Sequence, residues 1–325
     1  MMSDSEAIAQ AARFLEEGKL VAIPTETVYG LAADADNPAA VAAIFTTKGR
    51  PANHPLIVHV ARDADLSHWA VDIPLEAYQL IAAFWPGPLT LILKRAPKVS
   101  DAVTGGQDSI GLRCPSHPVA QALLKTFRDG QGGVAAPSAN RFGRVSPTTA
   151  QHVVDEFGAP GAGPIAAVLD GGACAVGIES TIVDLTRLDT YGPVLLRPGQ
   201  VSVQELEQVL GRSLAMAAHD APRVSGSLDA HYAPQTPLVL VETDNFVKTL
   251  AELQAKQRQV ASLRVSTNPQ AYAHDLYAQL RSLDRLGADV ILVEQPPGST
   301  AWQGINDRLR RAAFDSVGVL ERLLA

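Results

Sequence analysis

The chain has 325 residues, and its 27 Lys and Arg against 34 Asp and Glu give a formal charge of −7. A composition of 46% hydrophobic and 19% charged residues excludes an intrinsically disordered chain. The acidic balance also argues against a protein that holds nucleic acid over a wide face, since that requires a basic surface, so any anion-binding site must be local.

The length predicts about two domains, at roughly 150 residues each. No apolar run approaches the roughly 18 to 20 residues that a bilayer span needs, and the N-terminal residues are acidic, unlike those of a signal or transit peptide. We therefore expect a soluble cytoplasmic protein. Cys114 and Cys174 stand far apart without neighbouring thiols, which excludes a disulfide framework and a Cys-rich zinc site.

Short apolar runs and amphipathic stretches fill the first two thirds of the chain. The first predicted helix covers residues 3–18, with Ser3 and Glu6 as a capping-box pair. Further helices are predicted at 37–47, 74–84, 118–127, 147–157 and 202–210, and strands at 19–24, 56–60, 89–94, 110–113, 134–136, 166–169, 181–185 and 194–197. This alternation predicts an α/β domain, and the consecutive strands in its middle favour a mixed sheet flanked by helices.

The pattern is lost over residues 211–236, where Ala, Ser, Gly and Pro dominate and indicate a linker. Beyond it, strands and helices alternate again and predict a smaller C-terminal α/β domain with a parallel sheet. The strands are predicted at 237–242, 259–263 and 290–294, and the helices at 246–255, 269–286 and 301–313. We therefore divide the chain into an N-terminal α/β domain at 1–210, a linker at 211–236 and a C-terminal domain at 237–325.

The segment Lys48-Gly49-Arg50-Pro51 directly follows a predicted helix. Pro51 and Pro55 hold the next residues extended, an arrangement that lets both cations face one ligand. The alternative is a solvated helix C-terminus, where Lys and Arg interact favourably with the helix dipole. Spacing does not separate these interpretations, although the polar residues that surround the segment favour a ligand site.

Arg113 ends a short apolar strand that follows the polar, glycine-containing residues 105–109. Such a loop lets backbone N–H groups approach an anion, and a guanidinium offers two parallel hydrogen bonds to a carboxylate or phosphate. A surface Arg beside an ordinary turn explains the sequence equally well.

Small polar residues follow other predicted strands. Ser146 precedes the helix predicted from residue 147, so it is either a phosphate ligand or only the N-cap of that helix. Together these loops indicate one concave site for an anionic small molecule, with a nucleotide as the favoured class and the reaction left open. The chain lacks the P-loop, dinucleotide and nucleophile-elbow motifs.

These segments, in this order, resemble the YrdC-like family, and specifically its two-domain threonylcarbamoyl-AMP synthases. The family's pairing of Lys-x-Arg with a later Ser-x-Asn is present as Lys48, Arg50, Ser138 and Asn140. The resemblance spans essentially the whole chain, and rests also on the segments at 24–31, 54–56, 85–90, 111–113, 179–181, 196–199, 231–234 and 306–313.

The resemblance implies an enzyme, a nucleotidyltransferase that forms threonylcarbamoyl-AMP and pyrophosphate from L-threonine, bicarbonate or CO2, and ATP with Mg2+. Its product serves the threonylcarbamoyladenosine modification next to the tRNA anticodon. The resemblance also implies a threonine-binding pocket, formed by Thr27, His59, Arg113, Ala136 and Ser180. It also implies ATP contacts from Arg50, His54, Ser109, Ser138, Asn140, Ser146, Arg197 and the lid residue Tyr232. Lys48 and Arg50 are the predicted catalytic residues, and no protein-bound metal site is expected.

The expected recipient of the product is the downstream tRNA threonylcarbamoyl-transferase machinery. The charge of −7 predicts no stable tRNA binding, and no membrane partner is expected. The linker departs from the family, since it reads Val-Ser-Gly-Ser-Leu at 224–228 where many members have Ser-Pro-Gly-Met.

Two alternatives remain. One is a carbamoyl-adenylate-forming enzyme of the same fold, although the chain lacks the zinc-finger and acylphosphatase segments of those proteins. The other is a non-catalytic RNA-binding module, which the acidic charge disfavours.

Overall fold

A computed structural model describes residues 4–218, 220–226 and 228–325. Ser3, the predicted helix cap, and Ser227 of the linker lie outside the described residues. The chain forms two compact units, the first comprising residues 1–141 with 147–227 and the second residues 142–146 with 228–325. The division at 210 and 236 made from composition stays a prediction. No helix in the described ranges is long and apolar enough to cross a membrane.

The first unit contains eight α-helices and ten strands among its described residues. The helices are α1 (Asp4–Glu16), α2 (Pro38–Lys48), α3 (Leu75–Phe84), α4 (Asp101–Thr104), α5 (Pro118–Thr126), α6 (Ala150–Phe157), α7 (Leu188–Tyr191) and α8 (Val203–Leu210). The strands are β1 (Leu20–Ile23), β2 (Gly30–Asp34), β3 (Ile57–Val60), β4 (Leu89–Lys94), β5 (Ser109–Arg113), β6 (Gly133–Ala135), β7 (Ile165–Val168), β8 (Thr181–Asp184), β9 (Val194–Arg197) and β10 (Ala215–Met216).

All ten strands join one sheet in the order β10-β9-β8-β4-β5-β3-β6-β2-β1-β7. Parallel pairs such as β3 with β5 and β4 with β8 alternate with antiparallel pairs such as β4 with β5. The predicted α/β fold with a mixed sheet is therefore confirmed.

Strand β1 shows how this sheet is covered. Leu20 and Ala22 belong to one hydrophobic cluster, whereas Val21 and Ile23 belong to another. Because successive side chains of a strand point to opposite faces, β1 is buried on both sides. Its continuous apolar sequence is typical of such a strand.

Two of the local predictions that were wrong lie beside the candidate site. Strand β2 was not predicted, because its residues Gly-Leu-Ala-Ala-Asp are small and show no alternation; its pairing with β1 and β6 makes it a strand. The helix predicted from residue 147 begins at Ala150, and its N-cap is Thr149, whose hydroxyl accepts a hydrogen bond from the His152 N–H. Ser146 is therefore not the N-cap of that helix.

The second unit is a smaller α/β unit whose sheet has the order β11-β13-β12, with both pairs parallel as predicted. Its strands are β11 (Leu238–Val241), β12 (Val260–Leu263) and β13 (Val290–Glu294), and its helices are α9 (Thr243–Ala255), α10 (Pro269–Asp284), α11 (Gln303–Ala312) and α12 (Val319–Leu324). The central strand β13 is buried along its whole length, which explains its purely aliphatic run before Glu294.

Gly133 in β6 allows the sheet to approach the buried Trp69. A Cβ atom at residue 133 would lie 2.5 Å from Trp69 Cζ2 and 2.6 Å from Val58 Cγ1. We expect Gly133→Ala to lower the free energy of unfolding by ~1–3 kcal/mol, because rigid core atoms must move. Urea unfolding measures this loss. Gly298→Ala is the control, since its Cβ would meet nothing within 4 Å. Equal stability of the two variants would contradict the prediction.

Candidate functional site

Three adjacent strands, β3, β4 and β5, place several polar side chains on the face opposite the hydrophobic core. In each strand alternate residues enter the core, as Val58 and Val60 do in β3. The residues between them point to the other face and include His59, Arg113 and Thr90, all of which are buried. This strand alternation collects polar groups on one face of the sheet.

His59 and Arg113 are cross-strand neighbours in the parallel pair of β3 and β5. Burial, together with the positive charge of Arg113, lowers the pKa of His59 to about 3. The imidazole is therefore neutral at neutral pH, and its buried Nδ1 has no hydrogen-bond partner among the described residues. A neutral imidazole beside a guanidinium suits a ligand that carries both an anionic and a polar uncharged group.

The loop between β1 and β2 is held by its own side chains. The hydroxyls of Thr25 and Thr27 lie 2.9 Å apart, and that of Thr25 also donates to the Val28 carbonyl at 2.6 Å. Between them, Glu26 Oε1 accepts a hydrogen bond from Arg113 Nη2 at 2.7 Å. The polar character of this loop was visible in the sequence and favoured a ligand site, but no role was predicted for Glu26 itself.

A second polar cluster connects β4, β8 and β9. The hydroxyls of Thr90 and Ser180 lie 2.8 Å apart, and Arg197 donates to both the Ser180 hydroxyl and carbonyl oxygens at 3.0 Å. All three side chains are buried. Ser180, which is predicted to bind threonine, and Arg197, which is predicted to bind ATP, are therefore direct neighbours. Thr90 is a further polar residue here that sequence reasoning did not single out.

Lys48 connects the two halves of the sequence signature. Its ammonium donates to the carbonyl oxygens of Ser138 and Asn140, each at 2.5 Å. It is buried, so the interpretation of this segment as a solvated helix C-terminus is wrong. Burial is the main cause that lowers its pKa well below the usual range, and the charge of Arg50 adds to it. The αL conformation of Gly49, at φ 64°, ends the helix and turns the chain toward Arg50.

Arg50, His54 and Ser109 lie near the start of β3 and β5. Arg50 Nη2 donates to the Pro55 carbonyl at 2.9 Å, and burial with the Arg50 charge lowers the pKa of His54. Ser109 is buried at the first position of β5 and borders a groove of about 830 Å³. Ala136 follows β6, where its N–H donates to the Ile57 carbonyl at 3.1 Å.

The linker lies against this same face. Val224 belongs to a small apolar cluster with Ile92 and Ile182. Ser225 accepts two hydrogen bonds from arginines, at its carbonyl from Arg197 Nη1 at 2.7 Å and at its hydroxyl from Arg50 Nη1 at 3.4 Å. The linker thus supplies oxygen atoms to two arginines that are predicted to bind ATP. Composition identified a linker but gave no indication of these contacts.

The predicted ATP residues Ser146 and Tyr232 belong to the second unit. Arg281 of α10 donates to the carbonyls of Val145 and Ser146. The Tyr232 ring is buried, stacks on Tyr277 at 5.8 Å between centroids, and has the Arg308 guanidinium over it at 5.5 Å. Its positive φ of 61° is a strained conformation for a residue with a side chain. The roles of Ser146 and Tyr232 in ATP binding stay predictions.

Neither cysteine is poised as a nucleophile. Both are buried, and burial raises the pKa of Cys114 to about 11 and that of Cys174 to about 12. Within the described ranges, no group of three or more His, Cys, Asp or Glu side chains is placed to hold a metal ion. The chemistry that this arrangement supports is the binding and orientation of anions by buried cations and hydroxyls.

Family models and known proteins match the chain over most of its length. A family model described as "Telomere recombination" matches residues 13–199, and one described as "Threonylcarbamoyl-AMP synthase, C-terminal domain" matches residues 201–314. The threonylcarbamoyl-AMP synthase of Pyrococcus abyssi is 39% identical over 93% of each chain, and that of Bacillus subtilis is 38% identical over 94% of this chain and 92% of its own. The crystal structure of P. abyssi Sua5 complexed with L-threonine has a TM-score of 0.86 at 36% identity and covers 96% of this chain and 95% of that one.

The neutral, buried state of His59 predicts acid sensitivity. Its pKa is about 3 in the folded chain, whereas an unfolded histidine has a pKa of about 6.5, so the unfolded chain binds the extra proton between these values. Its contribution to stability is complete above about pH 6.5 and is lost as the pH falls toward 3. We expect the free energy of unfolding to fall by about 2 kcal/mol more in the wild type than in His59→Gln between about pH 7.5 and pH 5.

Urea unfolding at the two pH values measures this difference. His274→Gln is the matched control, because His274 is exposed. Identical pH dependence in the wild type and His59→Gln would show that His59 is not held neutral by the fold.

Proposed function

The chain belongs to the threonylcarbamoyl-AMP synthases, and from this membership we propose that it makes threonylcarbamoyl-AMP from L-threonine, bicarbonate or CO2, and ATP. It is an enzyme of the nucleotidyltransferase type, and its product serves the threonylcarbamoyladenosine modification of tRNA. The P. abyssi relative was crystallised with L-threonine, which supports threonine as the amino-acid substrate here.

The observation that carries the proposal is the contact between Ser180 and Arg197. The reaction needs an oxygen of the carbamate formed on the threonine nitrogen to reach the α-phosphorus of ATP. Ser180 is proposed to bind the substrate threonine and Arg197 to bind phosphate, so their direct hydrogen bond brings the two subsites within reach of each other.

We assign the threonine subsite to Thr27, His59, Arg113, Ala136 and Ser180. Arg113 has the planar fork that binds a carboxylate through two parallel hydrogen bonds. The neighbouring His59 is neutral, so it adds no second charge and offers ring nitrogens to the amine or hydroxyl of the amino acid. The burial of both groups strengthens these polar contacts.

We assign the ATP subsite of the first unit to Arg50, His54, Ser109, Ser138, Asn140 and Arg197, while ATP contacts from Ser146 and Tyr232 stay predictions from the family resemblance. Arg50 and Arg197 are the cations for the phosphates, and both already bind oxygen atoms of Ser225. Lys48, predicted as catalytic with Arg50, donates to the carbonyls of Ser138 and Asn140 and so shapes the loop between them. Mg2+ prefers phosphate oxygens and water as ligands, so we propose that it enters bound to ATP.

The chemistry requires charge stabilisation rather than covalent catalysis. Threonine loses an ammonium proton, and its free amine adds to CO2 and releases a further proton to give a carbamate. A carbamate oxygen then attacks the α-phosphorus as the bond to pyrophosphate breaks. A carboxylate, a carbamate and a triphosphate must meet, so cations are needed to offset their repulsion and to stabilise charge on the transferring phosphorus. The adenylate must also be kept from water, which would hydrolyse it.

The first test is substrate dependence. We expect the purified protein to release pyrophosphate only when ATP, L-threonine and bicarbonate are all present, and mass spectrometry to detect threonylcarbamoyl-AMP. Pyrophosphate release that does not depend on L-threonine would contradict the proposal. Release with carbamoyl phosphate in place of threonine would favour the carbamoyl-adenylate alternative. A salt-dependent RNA gel shift without any turnover would favour the RNA-binding alternative.

The second test concerns Arg50. We expect Arg50→Ala to lower pyrophosphate release by about 100-fold, because it removes a cation from developing phosphate charge. Lys48→Ala is a poorer test, since it also leaves two carbonyls without their donor. The control is Arg13→Ala, which removes an exposed arginine of α1. Full activity of Arg50→Ala would show that this arginine serves only the fold.

A further inference from the structure

We propose that Glu26 is a positioning residue that orients Arg113 for the carboxylate of the amino-acid substrate. This inference rests on the proposed function, because it concerns the threonine subsite. Glu26 and Arg113 form a buried ion pair whose side chains are only 8% and 5% exposed. Glu26 belongs to neither the predicted threonine pocket nor the predicted ATP subsite, so its role is a separate one.

Both carboxylate oxygens of Glu26 are fixed. Oε1 accepts from Arg113 Nη2 at 2.7 Å, and Oε2 accepts from the backbone N–H of Ser116 at 2.9 Å. The Glu26 carbonyl accepts from the Val176 N–H at 2.7 Å. Glu26 therefore joins the β1–β2 loop to the end of β5 and to the segment before β8, and its own orientation does not depend on Arg113 alone.

Arg113 is held along one edge only. Besides the Glu26 contact at Nη2, its Nε makes a long hydrogen bond of 3.4 Å to the Gly87 carbonyl. Its Nη1 donates to no residue in the described part of the chain. Because a guanidinium has five donors in one plane, holding the Nε and Nη2 edge directs the remaining donors to a fixed place. A ligand carboxylate is the group that matches those donors.

The negative charge of Glu26 also decides what can bind. Without a ligand, Arg113 would otherwise be a buried cation with no counter-ion, which is costly. With the pair formed, the site is nearly neutral, so a carboxylate is held by oriented hydrogen bonds more than by unopposed charge. Orientation is therefore the main contribution that Glu26 makes to recognition.

The test uses Glu26→Gln in the full chain. Gln keeps the shape but loses the charge, and it cannot accept from both Arg113 and the Ser116 N–H. We expect the KM for L-threonine to rise about 10-fold, the effect of one charged hydrogen bond, while the KM for ATP and kcat stay within about 3-fold. Calorimetry should show the same loss of L-threonine affinity, with unchanged, weak affinity for L-threoninamide, which lacks the carboxylate.

Glu207→Gln is the control, since Glu207 also accepts a backbone N–H, that of Leu214, but lies in α8 outside the site. Unchanged L-threonine affinity in Glu26→Gln would overturn the proposal. Equal losses for L-threonine, L-threoninamide and ATP would also overturn it, because they indicate a general structural defect. If the wild type binds L-threonine but makes no adenylate, the proposed function fails while the calorimetry still decides the role of Glu26.

Discussion

A cation that is removed from water must be surrounded by oxygen atoms, and the first unit buries several cations, among them Lys48, Arg113 and Arg197. Lys48 binds two carbonyls about ninety positions away in sequence, and Arg113 binds Glu26 across a similar separation. Each contact therefore ties distant loops together. The groups that neutralise the cations are also the groups that hold the binding loops in place.

The mixed sheet supplies the platform for these cations. Because β3 and β5 are parallel and in register, His59 and Arg113 stand side by side, while the antiparallel neighbour β4 brings Thr90 to the same face. Alternate residues of the same strands fill the hydrophobic core. One set of strands therefore provides both the stability of the unit and a rigid base for chemistry that depends on position.

The linker supplies hydrogen-bond acceptors to arginines of the candidate site. Its Ser225 offers oxygen atoms to Arg50 and Arg197, the two arginines that we assign to phosphate binding. Ser225 therefore gives both arginines oxygen partners of the kind that a phosphate would supply.

Most elements could be predicted from the sequence, because hydrophobic periodicity and caps are local. Strands β4, β9 and β13 begin and end where the apolar runs do, whereas β2 exists only through its pairing with two other strands. The linker was identified by its composition, since Ala, Ser, Gly and Pro leave no periodic face to bury.

The site divides in the same way. Lys48, Arg50, Ser138 and Asn140 were identifiable from sequence, because together they form a motif. Whether Lys48 was solvated or buried, whether Ser146 capped a helix, and that Glu26 pairs with Arg113 were decided only by the tertiary structure. Burial and pairing depend on segments roughly ninety residues apart, and no local pattern records which of them will meet.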